Sequence, residues 1–308
     1  MDPIVYALER TAADPEVRRL GALPRWLYLP AFCLSLIAGA TVRAEDHKAT
    51  DQPTVRIAGI VLKWIRADKA ANWRRIEPLI REAATKDAKI VCTTECFLDG
   101  YAIADKSIPL NEYHALGEAI PTGKYYQRLA DLAGELKIYL VAGLLEAAGG
   151  ARYNTAVLIG PDGKLIGKYR KQKLGHESVR NTAGNASPVF ETAYGRVGLM
   201  ICADRTDDRI VRRLCVQGAD LLICPSGGMF GSRTNDPIVQ TRSRENGVPI
   251  VFVHPAEFLV TASDGSVLAR SVLGDCLLTS REEVGTAKDL YRVYYFDLPL
   301  KRHVSDKR

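Results

Sequence analysis

The sequence predicts one layered α/β domain that begins near Thr54. Short apolar runs typical of buried strands alternate with segments in which apolar residues recur at helical spacing. Two polar turns that contain Asp and Gly separate pairs of strand-like runs and indicate hairpins. No internal repeat or long linker divides the chain, so a single large α/β domain fits its 308 residues.

The first half of this domain is predicted to alternate strands and helices and to end in a hairpin. Apolar residues at helical spacing predict helices over 68–88 and 123–137, and Pro78 is a position where the first of these can kink. The strands predicted in this half are 54–62, 89–96, 138–145, 153–160 and 165–171, the last two joined by a turn at 161–164.

The second half repeats the alternation and adds a second hairpin. Helices are predicted over 207–219 and 236–247, the latter closed by Gly247 as a C-terminal cap. A turn at 263–266 marks the hairpin, and the chain ends in the apolar run 291–298. The remaining predicted strands are 196–202, 220–226 and 248–254.

Residues 1–44 differ from the rest and predict a secretory signal peptide. An apolar stretch from Trp26 to about Val42 follows basic residues, and small residues precede a cleavage point after Ala44. We therefore expect an exported protein, periplasmic or secreted, with 45–53 as a short linker and no stable membrane span after processing. The alternatives are a cytoplasmic protein and an N-terminally anchored one.

Charge and cysteine content argue against several functions. The net charge is +6, part of it lies in the leader, and the one basic block is Tyr169–Lys173, so we expect no nucleic-acid partner. Seven irregularly spaced cysteines do not make a disulfide scaffold. Cys92 and Cys96 have a CxxxC spacing, but no second ligand pair follows, so we expect no metal and no cofactor.

Three residues at the ends of predicted strands are candidates for chemistry. Cys202 lies between a strand and a helix, where backbone N–H groups and the helix dipole favour a thiolate. Glu95 follows a strand, where sheet proteins place catalytic groups, and Lys171 ends the first hairpin. Taken singly, these residues also fit a buried inert thiol and two solvated charges.

A nucleophilic cysteine needs a base, and the sequence leaves its identity open. Histidine is the usual partner of such a thiol, and spacing alone does not exclude His176 or His254. A carboxylate can do the same work, because a base need only accept the thiol proton and later return it to a leaving amine.

Three segments together resemble the nitrilase superfamily of carbon–nitrogen hydrolases. They are "TECFLDGY", "YNTAVLIGPDGKLIGKYRKQKL" and "GRVGLMICADR", and the likeness extends over residues 54–298. The resemblance implies a four-layer α-β-β-α sandwich over 54–308. It also implies a Glu-Lys-Cys triad of Glu95, Lys171 and Cys202.

The resemblance further implies a fourth acid and an oxyanion site. The best match to the acid is Glu177 in "KLGHES", whose neighbours suggest an exposed loop, and Glu191 is the next candidate. The backbone N–H of Ala203 would hold the oxyanion together with Lys171. The sequence departs from the family pattern at Ala203, at 206–208 and at 254–258, so the substrate of no subfamily carries over.

The activity implied is hydrolysis of a small non-peptide amide through a cysteine thioester. A nitrilase or an N-carbamoyl amide hydrolase would use the same triad, and an inactive binding or scaffold protein is the alternative from another class. Because the family commonly forms dimers and larger assemblies, we expect a homodimer or larger homo-oligomer.

Overall fold

The computed structural model of the protein describes residues 53–228, 230–272 and 291–300. The predicted signal peptide over 1–44 and nearly all of the predicted linker over 45–53 lie outside these residues. Within them, no helix combines the length and the apolar character that crossing a membrane requires.

The described residues form twelve strands and five α-helices. The strands are β1 Thr54–Leu62, β2 Ile90–Cys92, β3 Tyr139–Ala148, β4 Ala151–Ile159, β5 Leu165–Arg170, β6 Val189–Thr192, β7 Gly195–Leu199, β8 Leu221–Pro225, β9 Ile250–His254, β10 Glu257–Thr261, β11 Val267–Val272 and β12 Tyr291–Pro299. The helices are α1 Lys69–Thr85, α2 Leu110–Ala115, α3 Lys124–Leu136, α4 Asp208–Val216 and α5 Ser232–Asn246.

The strands form two six-stranded sheets with the same internal pattern. Sheet A has the order β12-β1-β2-β3-β4-β5, and sheet B has the order β11-β10-β9-β8-β7-β6. In sheet A the neighbours β1, β2 and β3 are parallel, and the flanking pairings are antiparallel. In sheet B the parallel neighbours are β7, β8 and β9. Each sheet therefore has a parallel centre, whose strands end at one edge.

Three apolar clusters define four layers. One cluster joins the inner faces of the two sheets and includes Val141 of sheet A and Val251 of sheet B. A second packs α1 and α3 against the other face of sheet A, and Ile76 and Leu129 are fully buried in it. The third packs α4 and α5 against sheet B through side chains such as Val239. The predicted α-β-β-α order is confirmed.

Local sequence explains where the helices begin and end. The side chain of Asp68 accepts a hydrogen bond from the N–H of Ala71 (2.9 Å) and caps α1, which runs past Pro78 as one helix. Gly247 ends α5 with φ 65°, as its predicted role as a cap requires. However, α5 begins at Ser232 and not at 236. The predicted start is too late because the apolar residues of this helix lie only beyond Pro237.

Two predicted strands end earlier than expected, and one strand was not predicted. The strand predicted over 89–96 ends at Cys92, and the one over 196–202 ends at Leu199. Cys96 and Cys202 have φ of 45° and 44°, so the chain turns sharply there and leaves the sheet. β6 has only four residues, and none of them is fully buried, so it carries little apolar signal.

Candidate active site

The carboxyl ends of strands from both sheets meet at one place. Glu95 comes three positions after the end of β2, and Lys171 directly follows β5. β5 runs in the same direction as β3 because two antiparallel pairings separate them, so both residues lie at one edge of sheet A. The backbone N–H of Glu95 donates to the carbonyl of Ser226, which follows β8 of sheet B (3.1 Å).

Glu95, Lys171 and Glu177 form a buried ionic cluster. Lys171 Nζ donates to Glu95 Oε1 at 2.6 Å and to Glu177 Oε1 at 2.5 Å. The exposed fractions of the three residues are 0 %, 2 % and 0 %, respectively. Water therefore does not screen this charge, and the ammonium group is held in one direction by two carboxylates.

Neutral side chains complete the hydrogen bonding of the cluster. Asn154 Nδ2 donates to Glu95 Oε1 (2.6 Å) and to Glu177 Oε2 (3.0 Å). Tyr101 Oη donates to Glu177 Oε1 (3.2 Å), and Asn181 Nδ2 donates to Glu177 Oε2 (3.3 Å). Both oxygens of Glu177 are thus occupied. By contrast, Glu95 Oε2 is buried without a hydrogen-bond partner among the described residues.

The structure places Glu177 differently from the exposed loop that its neighbours suggest. Glu177 lies in a short 3-10 helix, Gly175–Val179, in which it is buried and both adjacent residues are exposed. The alternative acid, Glu191, lies at the surface and pairs with Arg196 (3.1 Å). Of the two, only Glu177 reaches Lys171.

Cys202 opens a second 3-10 helix, Cys202–Thr206. The thiol Sγ donates to the carbonyl of Gly227 (3.5 Å). A Cβ at position 227 would lie 2.8 Å from Glu95 Oε2, so the loop after β8 needs a glycine beside the carboxylate. Gly227 therefore lies beside both the thiol and the unpartnered carboxylate oxygen.

Burial and charge give the two carboxyl groups different proton affinities. Burial, reinforced by the charge of Glu177, raises the pKa of Glu95 despite the opposing effect of Lys171. Burial would also raise the pKa of Glu177, but the ion pair with Lys171 and the hydrogen bonds it accepts outweigh burial and lower that pKa. Glu177 is therefore the permanent anion of the pair, and Glu95 is the group suited to exchanging a proton.

Burial acts against the thiolate that the sequence predicts at Cys202. Burial, followed by the negative charge of Glu95, raises the pKa of Cys202, although Lys171 and Arg205 act in the opposite direction. The 3-10 helix that begins at Cys202 is only one short turn, so its dipole offsets burial weakly. A raised pKa favours the thiol, so ionisation of Cys202 calls for a base.

Asp204 joins the two chain segments that carry Lys171 and Cys202, and sequence reasoning missed it. Its Oδ1 accepts the backbone N–H groups of Gln172 (3.2 Å) and Lys173 (2.7 Å). Its Oδ2 accepts the N–H of Ile201 (3.0 Å) and the hydroxyl of Tyr169 (2.8 Å). The buried carboxylate thus fixes the nucleophile turn to the end of β5.

The two histidines that the sequence allowed as partners of Cys202 contact other groups. His176 Nε2 lies 3.4 Å from Tyr101 Oη, and His254 Nδ1 accepts the N–H of Ala256 (3.2 Å). Burial, helped by the charge of Arg205, lowers the pKa of His254 to about 3. Among the described residues, the hydrogen-bond partners of the Cys202 sulfur are Gly227 and Arg205, not an imidazole.

The CxxxC pair points in two directions. Cys92 packs in the cluster between the sheets, whereas Cys96 packs in a separate cluster around Trp64 and Tyr101. No group of three or more His, Cys, Asp or Glu side chains in the described parts of the chain is arranged to hold a metal ion. Cys276 lies outside those parts.

The chain is similar to known proteins of one family. The family model described as carbon–nitrogen hydrolase matches residues 55–280. The human protein named omega-amidase NIT2 is 36 % identical over 216 residues, which cover 65 % of this chain and 74 % of the relative. A protein named nitrilase from Pyrococcus abyssi is 35 % identical over 157 residues, which cover 50 % of this chain and 58 % of the relative.

Solved structures show the same fold. The crystal structure of Saccharomyces cerevisiae Nit3, described as a member of branch 10 of the nitrilase superfamily, superimposes with a TM-score of 0.66 and 25 % identity. The match covers 80 % of this chain and 90 % of Nit3. The family model spans most of the hydrolase domain predicted from the sequence. The chain therefore belongs to the carbon–nitrogen hydrolases of the nitrilase superfamily and is an enzyme of the amidase and nitrilase type.

Proposed function

We propose that the protein hydrolyses small non-peptide amides through a thioester on Cys202, with Glu95 as the base. One observation carries this proposal: Glu95 Oε2 is buried and unpartnered, while Oε1 of the same group is held by Lys171 and Asn154. A buried polar atom without a partner is costly, so a free acceptor beside a thiol is a place for proton transfer.

In the first half of the reaction, Glu95 takes the proton from Cys202 Sγ, and the sulfur attacks the amide carbon. Lys171 Nζ and the backbone N–H of Ala203 stabilise the oxyanion that forms. One such donor contributes about 3 kcal/mol to the transition state. Glu95 then gives its proton to the amide nitrogen, the C–N bond breaks, and ammonia leaves behind an acyl thioester.

In the second half, the same carboxylate activates water. Glu95 takes a proton from a water molecule while the water oxygen attacks the thioester carbon, and the C–S bond then breaks. The proton returns from Glu95 to the sulfur, so the thiol and the carboxylate are regenerated. The sum is amide plus water giving acid plus ammonia. Covalent catalysis divides one hard step into two easier ones.

For the substrate, we propose amides at the end of a short chain as the first compounds to test. The support is the relative named omega-amidase, which shares 36 % identity over 216 residues. A panel of ω-amides, simple aliphatic amides, N-carbamoyl compounds and nitriles separates the possibilities. A nitrilase takes up two waters per nitrile, and an N-carbamoyl hydrolase also releases carbon dioxide.

The proposal is tested by trapping the thioester. Intact-mass measurement after rapid quenching with a turned-over amide should show an acyl adduct, and peptide mapping should place it on Cys202. Cys202→Ala should lower kcat by about 10⁴-fold or more, because the other groups act on the nucleophile. Absence of both adduct and turnover across the whole panel would favour an inactive binding protein.

Two other cysteines provide matched controls. Cys224 is fully buried, and burial raises its pKa to about 12, while Cys215 lies on α4 away from the cluster. Cys215→Ala and Cys224→Ala should therefore change stability and not kcat. Alkylation that inactivates the enzyme while labelling Cys215 and sparing Cys202 would contradict the assignment.

A further inference from the structure

Arg205 is a buried guanidinium that contacts the sulfur of Cys202. The residue is 4 % exposed. Its Nη1 donates to Cys202 Sγ at 3.6 Å, and its Nη2 donates to Asn235 Oδ1 at 2.6 Å. The guanidinium carbon lies 5.3 Å from the centre of the Phe252 ring. The side chain is therefore fixed on two sides and presents one nitrogen to the nucleophile.

Within the described parts of the chain, the positive charge of Arg205 is not paired with an acidic side chain. In the described parts of the chain, no carboxylate lies within ion-pair distance of Arg205, and its Nε is buried without a hydrogen bond. The adjacent carboxylate of Asp204 is instead directed at backbone N–H groups and Tyr169. Buried charges are ordinarily paired, and the Cys202 sulfur that Arg205 contacts is a group that can become negatively charged.

The other charges of the site explain why a positive charge beside Cys202 matters. Lys171 lies between Glu95 and Glu177, so this cluster carries one net negative charge when both acids are ionised. Transfer of the Cys202 proton to Glu95 leaves the net charge unchanged and moves a negative charge from the carboxylate, which Lys171 and Asn154 contact, to the sulfur. Like charges in one buried site oppose ionisation strongly, and an opposite charge in contact with the sulfur relieves this effect.

We propose that Arg205 is a catalytic residue that stabilises the thiolate of Cys202. The inference rests on the proposed role of Cys202 as the nucleophile. The S–H bond breaks, an O–H bond forms on Glu95, and Arg205 keeps all its protons while its Nη1–H points at the sulfur. In deacylation, the same contact stabilises the sulfur as the C–S bond breaks. Lys171 then stabilises negative charge on the substrate oxygen, and Arg205 stabilises negative charge on the sulfur.

Asn235 is a positioning residue in this arrangement. It lies in the first turns of α5 and is fully buried. Its Nδ2 donates to the carbonyl of Phe230 (2.7 Å), which orients its Oδ1 toward Arg205. A neutral acceptor holds the guanidinium without cancelling its charge, whereas an aspartate there would form an ion pair.

The test measures ionisation of the thiol without any substrate. The full chain is alkylated with iodoacetamide, a neutral reagent, between pH 5 and 10, and the rate at Cys202 is followed by mass spectrometry. In Arg205→Gln, the apparent pKa should rise by about one unit or more, which slows alkylation about tenfold below that pKa. Arg205→Lys should retain part of the effect.

Asn235→Asp tests the same point while keeping the guanidinium in place. The new carboxylate should neutralise Arg205 and raise the apparent pKa in the same direction, even where Arg205→Gln does not fold. Arg209→Gln is the matched control, since Arg209 is 77 % exposed and pairs with Asp207, and it should leave the profile unchanged. An unshifted profile in Asn235→Asp, or in folded Arg205→Gln, would overturn the proposal.

A second reagent separates this role from anion binding. If Arg205 only attracts anionic ligands, Arg205→Gln should slow alkylation by iodoacetate and leave the iodoacetamide profile as in the wild type, which would also overturn the proposal. The readout is ionisation of the thiol and not turnover, so failure of this inference and failure of the proposed function give different results. A shifted profile in a protein that turns over no amide would contradict the amidase proposal and leave the contact between Arg205 and the thiol supported.

Discussion

Glu95 and Glu177 have the same carboxyl group, but their surroundings shift the pKa of each in opposite directions. Both are fully buried and both contact Lys171, but Glu177 accepts hydrogen bonds on both oxygens, whereas Oε2 of Glu95 accepts none. Burial raises the pKa of Glu95, whereas the ion pair with Lys171 and the additional hydrogen bonds outweigh burial and lower that of Glu177. This difference supports the proposed roles of Glu95 as the acid–base group and Glu177 as its fixed counter-charge.

Glu177→Gln should affect rate and pH dependence together. We expect kcat to fall by about 10²-fold, as for the loss of a group that supports acid–base catalysis. The charge of Glu177 raises the pKa of Glu95, so its removal should lower that pKa. Glu95 must be ionised to act as a base, and the acid limb of kcat/KM should therefore move to lower pH. A wild-type kcat with an unmoved limb would reduce Glu177 to a structural acid.

His254 should make the protein sensitive to mild acid. Its pKa in the folded protein is about 3, mainly through burial, whereas an unperturbed histidine titrates near 6.5. Between these values the unfolded chain binds a proton that the folded chain does not. This residue therefore lowers stability by up to about 1.4 kcal/mol for each pH unit below 6.5.

Urea unfolding of the wild type and His254→Gln at pH 7, 5.5 and 4.5 measures this contribution. The variant should lose stability at pH 7, where the buried imidazole is neutral and well packed. The difference between the two proteins should shrink as the pH falls, because only the wild type carries the proton penalty. A difference that stays constant over this range would show that His254 does not titrate on unfolding.

At the residue scale, site residues at the ends of strands could be predicted from the sequence. Site residues inside a strand or in a polar turn could not. Glu95, Lys171 and Cys202 each interrupt or follow an apolar run, which marks them as unusual. Asn154 lies inside β4, where a buried polar residue is indistinguishable by spacing from one facing solvent. Arg205 belongs to an acidic and basic stretch that fits any exposed turn. Its burial depends on Phe252 and Asn235, which are distant in sequence.

At the scale of secondary-structure elements, the Asp204 carboxylate connects a turn of sheet B to a strand of sheet A. Each oxygen accepts from two donors. In Asp204→Asn, one of these positions becomes an NH₂ group that faces a backbone N–H. We expect a loss of about 1–3 kcal/mol in the free energy of unfolding, as for an unsatisfied buried donor. Since Cys202 then shifts relative to Lys171, kcat should fall by about 10²-fold.

Two variants show whether Asp204 acts on geometry or only on stability. Tyr169→Phe removes one of the four donors and should cause a smaller loss of kcat. Glu118 is a buried acid remote from this turn that accepts from Lys69 and from the N–H of Tyr125. Glu118→Gln should lower the Tm without a matching change in kcat. Equal kcat losses in Glu118→Gln and Asp204→Asn, measured well below each Tm, would show that Asp204 contributes stability alone.

Element boundaries were the less predictable part of the fold. The apolar runs predicted the central strands and the amphipathic helices, because burial of one face leaves a periodic pattern. The exits from β2 and β7 did not follow from that pattern. Cys96 and Cys202 adopt a left-handed conformation that non-glycine residues rarely take, and surrounding contacts, not local preference, hold them there.

At the scale of the whole molecule, close glycine–phenylalanine contacts set the spacing of the two sheets. A Cβ on Gly59 of β1 would lie 2.2 Å from the ring of Phe258 in β10. A Cβ on Gly167 of β5 would lie 2.0 Å from the ring of Phe190 in β6. Sheet A carries Glu95 and Lys171, and sheet B carries Cys202, so the distance between the sheets is also a distance within the active site.

Gly59→Ala should therefore weaken both folding and catalysis. The added methyl group meets a ring that stacks on Tyr294 (6.2 Å between centroids), and we expect a loss of about 1–3 kcal/mol from overpacking. Combining it with Phe258→Leu should give less destabilisation than the sum of the single changes, because the two positions share one space. Urea unfolding and kcat/KM of the three variants measure this. Strict additivity would show that the glycine is not required by the ring.

The pairing of β1 with β12 places the first described strand beside the last, over nine residues from Thr54 to Leu62. The two strands are synthesised at different times, because residues 63–290 separate them in the chain. All the residues of the active site are synthesised before Tyr291 emerges, yet β1 still lacks its outer neighbour at that moment. Until β12 has been synthesised, one edge of β1 is unpaired and can pair with other chains. Chaperone binding during synthesis should therefore persist until β12 has left the exit tunnel.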